Sequence, residues 1–245
     1  DKAQYSLAYM YDEGNGVPED DAQAAHWYRL AADQGYAKAQ LNLGLLYDLG
    51  EGVAMNDETA VMWYRKAAEQ GNEKAEHNLA LMYDNGEGVR KDLGMAAQWY
   101  LKSAKRGYGD AQYNLALKYK KGEGVSRDYS RSYFWFGLSA AQGDDDAVKK
   151  RNEVEVNLTS AQTRDLDRHI TRWSAGNGYD DLVFTTVATT PPPAPTPPAP
   201  TPPSASGATF DDGWKAYEAE DFQTAFRIWL PLAEAGDVTA QFNIG

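Results

Sequence analysis

The three imidazoles of the chain, His26, His77 and His169, are the first place to look for a general base or a metal ligand. They stand at non-equivalent positions, and no Asp or Glu recurs beside them at ligand spacing. A metal site or a catalytic triad needs such convergence, so the three read as surface or packing residues. Cysteine is absent, which removes thiolate nucleophiles, disulfides and Cys-type zinc sites. Gly86-Glu87-Gly88-Val89 is rich in glycine but lacks the Lys-Ser/Thr and the preceding strand of a phosphate loop. Asp12-Glu13-Gly14-Asn15-Gly16 has the composition of a calcium loop, yet Gly16 stands where an oxygen donor is required. No cofactor and no metal are therefore expected, and the chain reads as a non-enzyme; a hydrolase is the weakest reading.

One polar column does recur. Ser6, Asn42, Asn78 and Asn114 are spaced 36 residues apart. A carboxamide both donates and accepts, so a ladder of them can hold an extended peptide backbone. Equally, each Asn can bond a neighbouring unit and maintain a stack. Columns beside it vary in the way ligand-reading positions do: Tyr5, Leu41, His77 and Tyr113, and then Tyr9, Leu45, Leu81 and Leu117. Asp12, Asp48 and Asp84 give way to Lys120, and Glu13, Leu49 and Asn85 to Lys121. With Lys118, this makes the last unit basic where the first three are acidic, a gradient that would place an acidic group of a partner on Lys118, Lys120, Lys121 and Asn114.

Composition narrows the partner. The 245 residues carry a formal net charge of −12, a surface that repels phosphates, so nucleic acid is not an expected partner. No apolar run reaches the roughly 20 residues of a membrane-spanning helix.

The elements that must position these columns follow from the same period. Trp27, Trp63, Trp99 and Trp135 are each 36 residues apart, as are Gly14, Gly50, Gly86 and Gly122, and Gly16, Gly52, Gly88 and Gly124. Ala3, Leu7 and Tyr11 form an i, i+4, i+8 stripe that predicts a first helix, A, ending at Gly14. Asp20, with Gln23 three residues on, predicts the cap of a second helix, B, and Asn56, Asp92 and Asp128 repeat that cap. Helix B carries Ala24, Trp27, Tyr28, Ala31 and Ala32 toward the core. At this helical spacing the Trp column reads as core rather than as a sugar-stacking platform.

The string A-x-x-x-L-[GA]-x-x-Y-x-x-G-x-G-V-x-x-[DN]-x-x-x-A-x-x-W-Y-x-x-A-A-x-x-G resembles the Sel-one-like repeat family, relatives of tetratricopeptide repeats. Departures are mild: Asn56 for the capping Asp, Ser132 for the helix B Ala, and Phe136 for the Tyr after Trp135. The resemblance implies an all-α, right-handed solenoid of helix-turn-helix repeats over residues 1–143 (1–35, 36–71, 72–107 and 108–143). It also implies a scaffold or adaptor that binds a peptide or a helix in a concave groove lined by the A helices. A cell-envelope protein binding glycan or peptidoglycan is the alternative.

After residue 143 the period fails. Residues 144–175 read as a helical cap: Asp144 opens one helix with Ala147, Val148, Val154 and Val156 as its apolar positions. Thr159 with Gln162 opens a second, with Leu166, Ile170 and Trp173. Residues 176–209 read as a Gly/Pro-rich linker, and 210–245 as a hairpin followed by the start of a further repeat. The chain opens inside one helix A and stops inside another, which predicts a piece of a longer protein. Residues 210–236 carry more large apolar groups than one hairpin can bury, so they are expected to dock on repeat one or associate head to tail with another copy. In relatives such an opening hairpin follows an export signal, which implies a periplasmic or secreted origin.

Overall fold

In a computed structural model, residues 1–174 are described, together with Asp212, Lys215, Thr224 and Ile228, each of which is helical. The expected linker and most of the expected final hairpin lie outside the described residues, and with them the expected docking. Two compact units divide the chain, residues 1–188 and 189–245.

The first unit is a run of helices in antiparallel hairpins. Four A helices, α1 (Lys2–Asp12), α3 (Ala37–Leu49), α5 (Glu73–Asn85) and α7 (Gly109–Lys121), alternate with four B helices, α2 (Asp21–Asp33), α4 (Asp57–Glu69), α6 (Leu93–Lys105) and α8 (Tyr129–Ala141). Then come α9 (Asp145–Glu155) and α10 (Ser160–Ser174). Each B helix starts on a side-chain cap: Asp20 accepts from the Gln23 N–H at 3.0 Å, Asn56 from Thr59 at 2.8 Å, and Asp92 and Asp128 from Met95 and Arg131 at 2.9 Å. Three A helices stop on glycines in the left-handed region, Gly50, Gly86 and Gly122, with φ of 75°, 82° and 78°.

The second glycine of each turn serves contact between repeats. A Cβ on Gly52, Gly88 or Gly124 would stand 2.2, 2.3 or 1.9 Å from the carbonyl oxygen of Asp21, Asp57 or Leu93. Each of these three A–B turns thus lies directly on the start of the preceding B helix, at a distance only glycine allows. Gly16 has no such neighbour. Ala3 is likewise exposed and Leu7 only half-buried, whereas Ala39, Ala75, Ala111, Leu43, Leu79 and Leu115 are fully buried; among the described residues no hairpin covers that side of α1.

A side-chain ladder ties the other end of each hairpin. Gln34 donates to Gln4 at 2.5 Å, Gln70 to Gln40 at 2.7 Å and Gln142 to Gln112 at 2.8 Å. In repeat three the same two positions hold an ion pair, Arg106 on Glu76 at 3.2 Å. Gln40 and Gln112 also donate to the Ala32 and Ala104 carbonyls at 3.1 and 3.2 Å, satisfying the last turn of the previous B helix.

The Trp column is interior: Trp63 and Trp135 are almost fully buried, Trp99 is 9% exposed, and Trp27 is half-buried. Helices α9 and α10 cover α8. Leu166 and Ile170 are buried, a Cβ on Gly137 would meet Ile170 Cδ1 at 2.3 Å, and the Trp173 ring lies edge-on to Trp135 at 6.3 Å. Thr159 and Gln162 cap each other reciprocally, at 2.8 and 3.3 Å. Two expected core positions do not hold: Val148 is 37% and Val156 85% exposed. The buried side of α9 is set by Ala147 and Val154, seven residues and two turns apart, and neither valine shares that side.

Candidate binding face of the A helices

Along each A helix the residues of the Lys2, Ser6, Tyr9 and Glu13 columns share one side at 3.6 residues per turn. That side is open. Tyr9 is 43% and Leu49 62% exposed, while Leu45, Leu81 and Leu117 are half-buried. The result is an apolar row crossing all four repeats, flanked by the polar column of Ser6, Asn42, Asn78 and Asn114.

The neighbouring column is more deeply set. Leu41 and His77 are buried, and Tyr5 and Tyr113 half-buried. Tyr5 stacks on Tyr9 at 6.5 Å and meets Tyr36 edge-on at 5.1 Å, and Tyr113 meets Phe136 at 5.4 Å. The His77 ring lies edge-on to Tyr108 at 5.1 Å. Its Nδ1 faces Asn78 Oδ1 at 3.3 Å and its Nε2 faces Asn114 Nδ2 at 3.1 Å. A neutral ring with its proton on Nδ1 donates to the first and accepts from the second. Burial holds its pKa below the ordinary value.

The asparagines reach back one repeat. Asn42 Nδ2 donates to the Tyr28 hydroxyl at 2.8 Å, Asn78 bonds Tyr64, and Asn114 bonds His77. Those tyrosines in turn donate to the last-turn aspartates: Tyr28 to Asp12 and Tyr64 to Asp48, both at 2.9 Å, with Tyr100 on Asp84. Burial, and then the adjoining carboxylate, raises the Tyr64 and Tyr100 pKa. Burial raises Asp12 and Asp48 as well, against the tyrosine hydrogen bond. The change of charge in repeat four has its counterpart here. Phe136 stands where Tyr28, Tyr64 and Tyr100 stand in the earlier units; it has no hydroxyl, and no acceptor is needed at Lys120.

The lysines of repeat four are engaged within the chain. Lys118 is 6% exposed and bridges Asp84 at 2.6 Å and Glu123 at 3.1 Å. Lys120 pairs with Glu153 of α9 at 2.6 Å and Lys121 with Glu123 at 3.6 Å. Sequence reading assigned the Asp-to-Lys switch to an acidic group of a partner; pairing columns 16 residues apart, Asp with Tyr and then Lys with Phe, is the signal for its counterpart within the chain. Among the described residues no group of three or more His, Asp or Glu side chains is placed to hold a metal, and no helix is long and apolar enough to cross a membrane.

The family model for the Sel1 repeat matches four consecutive segments, residues 1–36, 37–72, 73–108 and 109–144. The chain belongs to the Sel1 repeat family. Among solved structures it is similar to a Sel1 repeat protein from Oxalobacter formigenes, with 37% identity, TM-score 0.60, and coverage of 73% of this chain and 74% of that one. It is also similar to a protective antigen present in uropathogenic Escherichia coli strains that displays an SLR fold, with 33% identity, TM-score 0.64, and 99% of this chain against 48% of that one. The chain thus spans about half the length of the second protein. No curated protein matches it. Sel1 repeats form all-α solenoids of helical hairpins, and proteins built from them are generally protein-interaction scaffolds.

Proposed function

We propose that this Sel1 array is a non-catalytic adaptor that binds a peptide or a helix of another protein along its A-helix face. The observation that carries the reading is the apolar row Tyr9, Leu45, Leu81 and Leu117. It runs partly exposed through every repeat beside a column of carboxamides, where a packed interior would have covered it. Tyr5 and Tyr113, both half-buried, widen the row. Asn42, Asn78 and Asn114 border it with amide groups able to meet a peptide backbone. At the far end Lys118, Lys120 and Lys121 shape the wall through their in-chain ion pairs.

A photo-crosslinking side chain at Leu81, compared with one at Met62, tests this. Met62 is 42% exposed on a B helix and so controls for apolar exposure alone. Crosslinking to a protein partner from Leu81, lost on Leu45→Asp, is the expected result. Equal crosslinking from Met62 would sink the reading.

A further inference from the structure

Tyr9 is the one aromatic member of its column; Leu45, Leu81 and Leu117 follow it. Its ring stacks on Tyr5, with centroids 6.5 Å apart and planes 20° from parallel, and the residue is still 43% exposed. Asp12 and Glu13 lie three and four residues further along the chain, beside Tyr9 on the helix surface. No other repeat sets two carboxylates there: the same places hold Asp48 and Leu49, Asp84 and Asn85, and Lys120 and Lys121.

These two carboxylates have no cation within reach. Among the described residues neither enters an ion pair, whereas Asp84 is bridged by Lys118. No Lys or Arg occurs between Lys2 and Arg29. Along α1, Lys2 is about 15 Å from Asp12, and Arg29 is engaged on Tyr47. The last turn of α1 carries no base, so the partial negative charge of the helix C-terminus adds to the two carboxylates. Burial raises the Asp12 pKa against the Tyr28 hydrogen bond, and Glu13, Asp21 and Glu19 add to the rise.

Acidity alone would be a solvated surface; the open ring beside it is what selects an occupant. Elsewhere the chain places arginines on the tyrosines of its A helices. Arg29 lies over the Tyr47 ring at 5.5 Å, Arg131 over Tyr119 at 5.7 Å, and Arg65 donates to the Tyr83 hydroxyl at 2.7 Å. Resting on the adaptor reading above, we propose that Tyr9, Asp12 and Glu13 receive an arginine side chain of the bound peptide, whose apolar residues continue along Leu45 and Leu81. The guanidinium stacks on the open side of the Tyr9 ring. Its N–H groups donate to Glu13 and to the Asp12 oxygen that Tyr28 does not use. The apolar row sets where the peptide lies, and the arginine sets which end of it lies on repeat one.

The test uses the full chain and fluorescence anisotropy with labelled, end-blocked peptides of alternating Pro and Leu that carry one further residue, first or last. That residue is arginine, citrulline or glutamate. Arginine is expected to bind on the order of ten-fold more tightly than citrulline, which has nearly the same shape without the charge. Glutamate binds more weakly still, and the arginine advantage shrinks as salt is raised. Tyr9→Leu with Glu13→Gln removes the advantage. Leucine is the residue of that column in the other repeats, and an unchanged melting temperature confirms that the variant is folded. Glu69→Gln, at an exposed carboxylate on the end of a B helix, leaves the advantage as it was. Equal binding of the arginine and citrulline peptides, no binding of any peptide, or an advantage that persists in Tyr9→Leu with Glu13→Gln overturns the inference. If the advantage is absent while Leu81→Asp abolishes binding of every peptide, the arginine specificity falls and the A-face reading stands. Binding that survives Leu81→Asp removes both.

Discussion

The Tyr64 hydroxyl donates to Asp48 Oδ2 at 2.9 Å, joining a B helix to the last turn of its own A helix, and the same columns meet wherever the tyrosine is kept. Tyr64 is fully buried, so losing its acceptor leaves part of its hydrogen bonding unmet. Asp48→Leu is expected to lower stability by about 1–3 kcal/mol. Tyr64→Phe added to it should recover most of that loss, because a phenylalanine there, like Phe136 in repeat four, needs no acceptor. Chemical denaturation of the two single variants and the double variant measures the coupling. A double variant as unstable as the sum of the singles would mean that the two groups act independently.

Gly88 and Gly16 occupy equivalent turns and share positive φ, 64° and 80°. Only Gly88 faces a backbone carbonyl at 2.3 Å; the nearest group to a Cβ on Gly16 is the flexible end of Met10 at 3.5 Å. Gly16→Ala should therefore show the conformational penalty alone, about 1 kcal/mol. Gly88→Ala adds overpacking between repeats, about 1–3 kcal/mol more. Thermal melts of the two variants separate the terms, and equal losses would show that the turns do not bear on the preceding helix.

Glu76 and Arg106 replace a Gln–Gln pair found in the other three repeats. Glu76 is 1% exposed, and burial raises its pKa against the pull of Arg106. As a carboxylate it cannot donate to the preceding B helix as Gln40 and Gln112 do. Restoring the pair, Glu76→Gln with Arg106→Gln, should leave the protein at least as stable as the parent. Arg106→Ala alone should cost about 1–3 kcal/mol by stranding the buried carboxylate. Urea midpoints decide; a double variant well below the parent would give the ion pair a net stabilising part.

Most of the repeat architecture was legible because a strict period repeats the same physical demand. Trp63, Leu79 and Gly86 each stand where burial or a left-handed cap recurs. The B-helix caps were legible for the same reason, since Asp20 and Asn56 act within three residues of themselves. What stayed hidden lies between columns rather than within them. That Lys120 answers Phe136, or that Glu76 answers Arg106, shows only when two positions far apart in sequence change together. Val148 and Val156 were misplaced because α9 is outside the period, and its buried side is set by packing on α8 rather than by its own pattern.

His77 is the one imidazole set into the junction between repeats three and four, and its protonation should open that junction. The described groups around it are Asn78, Asn114, Tyr100, Tyr108 and Asp110. Burial lowers its pKa below the ordinary 6.5, and Asn78 and then Asp110 only partly restore it. The unfolded chain therefore takes up the proton first as pH falls. Stability from His77 is full above the ordinary histidine value and is lost progressively below it, until the folded-state pKa is passed. Protonation also forces Nε2 to donate, which turns the Asn114 amide away from it. Asp12, Asp48 and Glu76 have pKa values raised by burial and act in the opposite sense, so the comparison must be with a variant rather than with pH alone. His77→Leu is the suitable one, because Leu41 fills the same position one repeat earlier and is equally buried. Between about pH 7.5 and about pH 5, the parent should lose more stability than His77→Leu. Denaturation midpoints of both proteins across that range measure the difference, and parallel pH profiles would show that the imidazole titrates alike in the folded and the unfolded chain.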